Sequence, residues 1–390
     1  MNILQQGIIA LVRSALTQTP QVLPDGFCME DAMSVIYDHN IQALCYDGAI
    51  LCGIPNKGCA MENLFRTYCS TVIAVTKQDR AINRILSAFE ENGIDYMPLK
   101  GSIMRSLYPK PELRTMGDAD IPIRMEQYDR IVPIMEELGY AFCHATDHDY
   151  LWKTKDLNVE LHYQLLPESR SAYSTVFADG WSVAERAEGY RWRQQIEDEW
   201  IFNFCHFTKH YTTGVGIRHV ADLWVFLKHH PQMDFDYVIQ KLSELNLAEF
   251  YENAMQLVSC WFAGAAATEK SDYMTDYIFG SGSFGDMETH RLNAFADEVS
   301  GRTLYGNTAY KLRRFFIAIF PSREKLGAKF PFVVRHPWLY LPMVLIYPFY
   351  RITQERSLIK NWTHTISSYD SDLVGQKIQQ LEYVGIRTKR

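Results

Sequence analysis

Asp118-Ala119-Asp120-Ile121-Pro122-Ile123 alternates polar and apolar positions with a period of two. Side chains on a strand point alternately to opposite faces. Asp118 and Asp120 therefore share one face, and Ala119, Ile121 and Ile123 the core face. Two residues along a strand span about 6.6 Å, near enough for both carboxylates to converge on one cation pair. Like charges that close raise each other's pKa, and a divalent cation with oxygen ligands removes the penalty. A lone acid-x-acid pattern is short and common, and two solvated acids on an exposed strand would explain it equally. Its neighbours decide.

Upstream, residues 94–99 read as a short strand, followed by Lys100-Gly101-Ser102, a brief helix and the turn-rich link PKPELRTMG. Downstream, residues 126–138 read as an amphipathic helix stopped by Gly139, with Pro133 predicting a kink or a late start. Residues 140–143, 150–153 and 159–163 read as strands. The whole is an α+β arrangement, a small mixed-sheet core over 93–195 between helical regions at 1–92 and 196–390. In the first region, residues 63–91 carry apolar residues at helical spacing, closed by Asn92-Gly93. In the second, helices are expected over 200–210 and 219–230, joined by Thr213-Gly214-Val215-Gly216, with another over 310–320. Residues 279–285 (FGSGSFG) read as a glycine-rich loop, and the tail after Lys360 as a frayed, solvated end.

Several of these neighbours could carry chemistry. Glycine after a strand lets backbone approach a phosphate, and the N–H groups of a following helix attract anions, so Lys100, Gly101 and Ser102 are phosphate-binding candidates. An ordinary strand-to-helix turn is the plain alternative. Glu160 and His162 share one face of the 159–163 strand. Glu160 could complete a two-metal site or take a proton from an attacking hydroxyl. His162 is either a substrate contact or a hydrogen-bonded structural histidine. Arg114 could hold a triphosphate or form an ion pair steadying Asp118 or Glu160. Arg105 and Lys110 read as solvated residues around a turn. His206 and His210, four apart on a helix, read as packing or substrate contact, since HExxH is absent and zinc is poorly supported. Asp222 is expected to pair with Arg218 one turn away, with Leu223, Phe226 and Leu227 as core.

Leu99-Lys100-Gly101, Leu107-Tyr108, Arg114-Thr115-Met116-Gly117-Asp118-Ala119-Asp120, Leu138-Gly139-Tyr140 and Glu160-Leu161-His162 together resemble the uncharacterised nucleotidyltransferase family, part of the DNA polymerase β-like nucleotidyltransferase superfamily. The resemblance is strongest over residues 97–164. It implies a nucleotidyltransferase core with a Gly-Ser pair (Gly101, Ser102), a metal-binding acidic pair (Asp118, Asp120) and a third acid (Glu160). One departure is the length of the link between Ser102 and Asp118, longer than the superfamily's usual spacing. The expected activity is Mg²⁺- or Mn²⁺-dependent transfer of a nucleoside monophosphate from an NTP to an unidentified acceptor, with release of pyrophosphate. The alternative is a catalytically silent scaffold that binds nucleotide or a partner through the same pocket.

Composition sets the outer bounds. The formal net charge of -7 argues against a broad nucleic-acid-binding surface. The eight cysteines form no CxxC pair and read as mostly buried thiols of a reducing, cytoplasmic compartment. Residues 1–16 read as an amphipathic helix, not a signal peptide. Residues 337–350 (PWLYLPMVLIYPFY) fall short of the roughly 20 apolar residues of a spanning helix. They are expected to be a buried segment packing the C-terminal region, with a peripheral membrane contact as the alternative.

Overall fold

A computed structural model describes residues 1–146, 148–165, 180–282, 326, 337–354 and 370–386. The chain divides into two compact units, Met1–Asp286 and Met287–Arg390.

The first unit opens with helices α1 (Ile3–Thr17), α2 (Met29–Asp38), α3 (Gln42–Leu51) and the 33-residue α4 (Cys59–Glu91). Gly93, at φ +64, closes α4, and a Cβ there would lie 3.2 Å from the Tyr190 ring. Helix α5 (Gly101–Leu107) leads to β1 (Asp118–Pro122). Next come α6 (Tyr128–Glu137), β2 (Ala141–Ala145), β3 (Asp149–Lys153) and β4 (Asn158–His162). The four strands form one sheet in the order β1-β4-β3-β2, with β1 parallel to β4 and the remaining pairs antiparallel. A short 3-10 turn, Met125–Gln127, precedes α6, so that helix starts late and holds Pro133 inside it.

Period-two patterning gives the sheet two unlike faces. Ala119 and Ile121 of β1 and Val159 and Leu161 of β4 are at most 1 % exposed, and pack against Ile82, Ile85 and Phe89 of α4 and Ile131 and Met135 of α6. Each of these side chains larger than alanine contributes about 1.5–3 kcal/mol by leaving water. The opposite face carries Asp118, Asp120, Glu160 and His162.

Residues 94–99 are not a regular strand. Tyr96 bridges both Ile123 and Arg191, while the Met97 and Leu99 N–H groups donate to Pro122 and Asp120 carbonyls. The segment divides its hydrogen bonds between two neighbours and so forms no continuous ladder. Its second neighbour belongs to a hairpin, β5 (Ala184–Glu188) with β6 (Arg191–Gln194).

Helices α7 (Ile196–Thr213), α8 (Ile217–His229), α9 (Phe235–Glu244), α10 (Ala248–Val258) and α11 (Glu269–Ser281) complete the unit. Trp200, Phe204, Phe207, Tyr211, Phe226 and Phe250 form their aromatic interior. His39 fixes the start of α8: its Nδ1 accepts from the Ile217 N–H at 3.2 Å, and its Nε2 lies 3.3 Å from the Phe279 carbonyl. Residues 279–281 close α11 as helix instead of opening a loop, while 283–285 lie outside the described residues, as does the helix expected over 310–320.

In the second unit, α12 (Tyr340–Gln354) packs Val344 against Leu326, and α13 (Ser371–Tyr383) buries Val374 and Leu381. The tail is thus helical over this stretch, capped by the Asp370 carboxylate. The expected burial of 337–350 holds for one face only: Trp338 and Leu341 are each 72 % exposed and Leu345 69 %, because the run is apolar around the helix and only one stripe meets Leu326. No helix among the described residues is long and apolar enough to cross a membrane. All eight cysteines are free, but only Cys45 and Cys205 are buried. Cys59 and Cys69 are exposed, lying on the solvent side of α4.

Candidate functional site

On the polar face of the sheet, the β1–β4 register sets Asp120 directly opposite Glu160. His162, two residues further along β4, joins them: its Nε2 lies 2.8 Å from Asp120 Oδ1 and 3.4 Å from Glu160 Oε2. The ligand atoms of these three residues lie within 4.8 Å of one another, a spacing that could hold one metal ion. Asp118 stands outside that tight group but inside its field. Burial first, then repulsion from Asp120 and Glu160, pushes its carboxyl up to about 6. Burial also opposes the charge of Asp120, but Lys100 and His162 outweigh it and hold that carboxyl far below the ordinary range. The hydrogen bond from His162 lowers Glu160. Burial would lower His162 itself, and its bonds to Asp120 and Glu160 more than reverse this. Its Nδ1 is buried without a hydrogen-bond partner, and the residue is 4 % exposed. His162 therefore touches the acids and not the open cleft.

Lys100 supplies the compensating charge, with Nζ 2.8 Å from Asp120 Oδ1 and 5.7 Å from the Phe202 ring centroid. Its backbone has φ +47 and ψ -112, a conformation that L residues rarely adopt and that costs on the order of 1–3 kcal/mol. Such strain persists only where surroundings over-determine it. Gly101 follows, and a Cβ there would stand 2.6 Å from Met116 Sδ and 3.1 Å from Arg114 Nη1. Close packing alone thus requires a glycine. The Ser102 hydroxyl donates to the Leu99 carbonyl at 3.1 Å. Unlike Lys100, Gly101 and Arg114, Ser102 does not line the cleft.

That cleft, about 380 Å³, opens above the acids and is roofed by α7 and α8, with Asn40 entering from the N-terminal helices. Asp118, Asp120 and Glu160 lie on one wall. His206, Lys209, His210, Arg218 and His219 lie on the other. Arg114 does not reach the sheet acids. Its Nε and Nη2 grip Asp222 at 3.2 and 2.9 Å, and Tyr108 adds a third bond to the same carboxylate at 2.7 Å. Asp222 is thereby taken from Arg218, whose Nη1 donates to the Thr115 carbonyl at 2.9 Å and to its hydroxyl at 3.1 Å. Arg105 is not solvated either: it is 3 % exposed and bonds Asp79, Gln78 and the Arg114 carbonyl. Lys110 pairs with Asp47. These long-range partners explain how Arg105 of α5 and Arg114 of the turn-rich link are both buried.

His206 and His210 meet at 3.2 Å between their Nε2 atoms, and His219 lies tilted beside them with its ring centroid 4.5 Å from that of His210. Burial, then the nearby cations, pulls His210 down to about 4, and burial likewise drives His206 and His219 well below the ordinary value. The cluster is a neutral, hydrogen-bonding surface. Among the described residues, the close metal-type groups are Asp120, Glu160 and His162, and His148, Asp149 and His162, neither of which includes His206 or His210. Leu223 and Phe226 are buried as expected and also line the cleft, whereas Leu227 is half-buried.

Sequence reading did not anticipate His219, Asn40 or Arg218 as cleft residues. His219 lies on a different helix from His210, so no helical spacing links them.

Residues 26–263 match the model of a family described as uncharacterised nucleotidyltransferase. No curated protein matches the chain. Two solved structures are similar over part of it. One is a solution structure of the antibiotic-resistance factor ANT(2'')-Ia, at 16 % identity and TM-score 0.32, covering 40 % of this chain and 85 % of that one. The other is a crystal structure of ANT(2")-Ia in complex with adenylyl-2"-tobramycin, at 14 % identity and TM-score 0.31, covering 39 % and 89 % respectively.

Proposed function

The chain belongs to the uncharacterised nucleotidyltransferase family, and from that premise we propose metal-dependent transfer of a nucleoside monophosphate from an NTP to an acceptor hydroxyl or similar nucleophile, with release of pyrophosphate. The observation that carries this is the placement of Asp118, Asp120 and Glu160 on one sheet face, beneath a cleft of about 380 Å³. Their donor set fits Mg²⁺ or Mn²⁺. The three carboxylates outnumber the cations that touch them, and Asp118 is left partly uncompensated. A bound divalent cation would supply neutralisation of phosphate charge as the phosphoryl group passes in line between oxygens. Asp118, Asp120 and Glu160 would hold it, and Glu160 would also accept the acceptor's proton. Lys100 stands ready at the donor's phosphates once a cation takes over its hold on Asp120. Gly101 lines the cleft beside Lys100, whereas Ser102, which lies outside it, and Arg114 would act only through the shape they impose. His206 and His210 face the acceptor side. The free thiols accord with a reducing, cytoplasmic setting, which belongs to the same proposal.

A second reading, a catalytically silent scaffold, draws support from Lys100 and His162 already neutralising Asp120 without metal. Calorimetry with Mn²⁺ and an NTP panel, followed by a pyrophosphate-release assay, separates the two. Binding with Mg²⁺-dependent pyrophosphate release that Asp120→Asn abolishes supports the enzyme. Binding without turnover on any acceptor supports the scaffold.

A further inference from the structure

Two arginines approach the cleft, and they are not equivalent. Arg114 is satisfied: Asp222 fills its fork and Thr115 takes its remaining nitrogen. Arg218 uses Nη1 alone, on Thr115, leaving Nε and Nη2 with no hydrogen bond and no carboxylate within ion-pair distance among the described residues. It nevertheless lines the cleft together with Asp118, and the charges of Asp222 and, more weakly, Asp118 act on it.

Guanidinium stays charged even where burial and a neighbouring arginine oppose its charge, so Arg218 is a held cation with no direct ion pair among the described residues. The Asp222 charge reaches it only at longer range. Its planar fork, with one edge anchored on Thr115, leaves the other edge pre-aimed for two oxygens of a tetrahedral anion. Arg218 is also the second residue of α8, a 13-residue helix with no acid in its first turn to cancel the positive end. Thr115 is three residues before Asp118, which puts this edge near the end of the cleft where a metal-bound phosphate chain would lie.

We propose that Arg218 is the phosphate-binding arginine of the cleft and takes the β- and γ-phosphates of the donor nucleotide, the role that Arg114's pairing with Asp222 denies to Arg114. This rests on the nucleotidyltransferase reading and deepens it.

Calorimetric titration of the full chain, with Mn²⁺ and non-hydrolysable NTP, NDP or NMP, tests it. In the wild type, affinity falls from triphosphate to monophosphate. Arg218→Gln weakens triphosphate binding about 10- to 100-fold, the scale of a charge-assisted hydrogen-bond pair. It changes monophosphate binding by less than about 3-fold on the same scale. Arg218→Lys, which keeps the charge and loses the fork, falls between and serves if the glutamine variant does not fold. Metal-free Arg218→Gln melts no lower than the wild type, because it removes a largely buried charge that has no direct ion pair; a structural arginine would give the opposite. Unchanged triphosphate affinity in both variants overturns the assignment, as does equal weakening of tri- and monophosphate. A wild type that binds no NTP under any condition sinks the nucleotidyltransferase reading itself, a result distinguishable from failure of the arginine alone.

Discussion

Asp120 and Glu160 are register partners across the parallel β1–β4 pairing, and one imidazole nitrogen, His162 Nε2, lies within 2.8 Å of the first and 3.4 Å of the second. With Lys100 Nζ also 2.8 Å from Asp120, a carboxylate expected to hold metal is already enclosed by two hydrogen-bond donors. Charge balance in this cluster, not geometry alone, governs how the site responds to mutation, pH and metal.

Asp120→Asn should therefore do two things. On the proposed reaction it should lower pyrophosphate release by at least about 100-fold, since a proposed metal ligand is lost. It should also destabilise the fold by about 3–5 kcal/mol, the usual cost of stranding one member of a buried pair, here Lys100. The double variant Lys100→Met/Asp120→Asn removes both charges and should regain much of that stability while staying inactive. Urea titrations of the four members of the cycle measure the coupling. Additive effects, with the double variant weaker than either single one, would show that Lys100 and Asp120 do not depend on each other.

Asp118 gives a pH-dependent signature of the opposite sign. Its carboxyl sits at about 6 in the fold against 3.8 ordinarily, so the folded chain holds this proton more tightly than the unfolded one. Stability contributed by the protonated group is present at low pH and is lost as pH rises through about 6. Metal-free Asp118→Asn should accordingly gain most over the wild type near pH 8 and little near pH 4. Mn²⁺ should raise the wild-type melting temperature at pH 8 and raise that of the variant far less. Thermal melts at the two pH values, with and without Mn²⁺, give the comparison. A variant that loses stability equally at both would contradict the charge argument.

How far the fold could be read from sequence depended on whether an element's partners were local. The alternation at Asp118–Pro122 and at Asn158–His162 was legible because one face of each strand packs on α4 and α6, and burial forces a period of two. The hairpin Ala184–Glu188 and Arg191–Gln194 escaped notice because charged residues occupy both of its faces. Of the site, the three acids were legible as a pattern. Their setting was not: Arg114 finds Asp222 at a separation of 108 residues, and no linear spacing signals such a partner. The same capture explains why Arg218 and Asp222, correctly spaced for a helical ion pair, do not form one.

His210 makes the roof of the cleft sensitive to acid. Burial and the cations around it bring its pKa down to about 4, so it stays neutral in the fold while an unfolded imidazole gains a proton below 6.5. Its contribution is present above 6.5 and is lost as pH falls toward about 4, with a span of at most about 3 kcal/mol. His210→Gln should flatten that part of the stability profile, measured by urea unfolding at half-unit intervals. Parallel profiles for variant and wild type would remove His210 from the account.

Gly101 separates a packing requirement from a chemical one. A phosphate-cradling glycine and a glycine under a neighbour's side chain both fail when a Cβ is added, but they are rescued differently. At position 101 the obstacles are Met116 Sδ at 2.6 Å and Cγ at 2.9 Å, in a side chain that is 8 % exposed, and then Arg114 Nη1 at 3.1 Å. Gly101→Ala should cost about 1–3 kcal/mol through overpacking. Adding Met116→Ala makes room for the new methyl, so the double variant should be less impaired than the two single losses added together. If packing is the whole requirement, nucleotide affinity should recover along with stability in the double variant. Recovery of stability without recovery of Mn²⁺-dependent NTP binding would instead assign Gly101 a direct place beside the phosphates. Melting temperature and calorimetric affinity, read on the same four proteins, distinguish the two outcomes because only the second readout reports contact with the ligand.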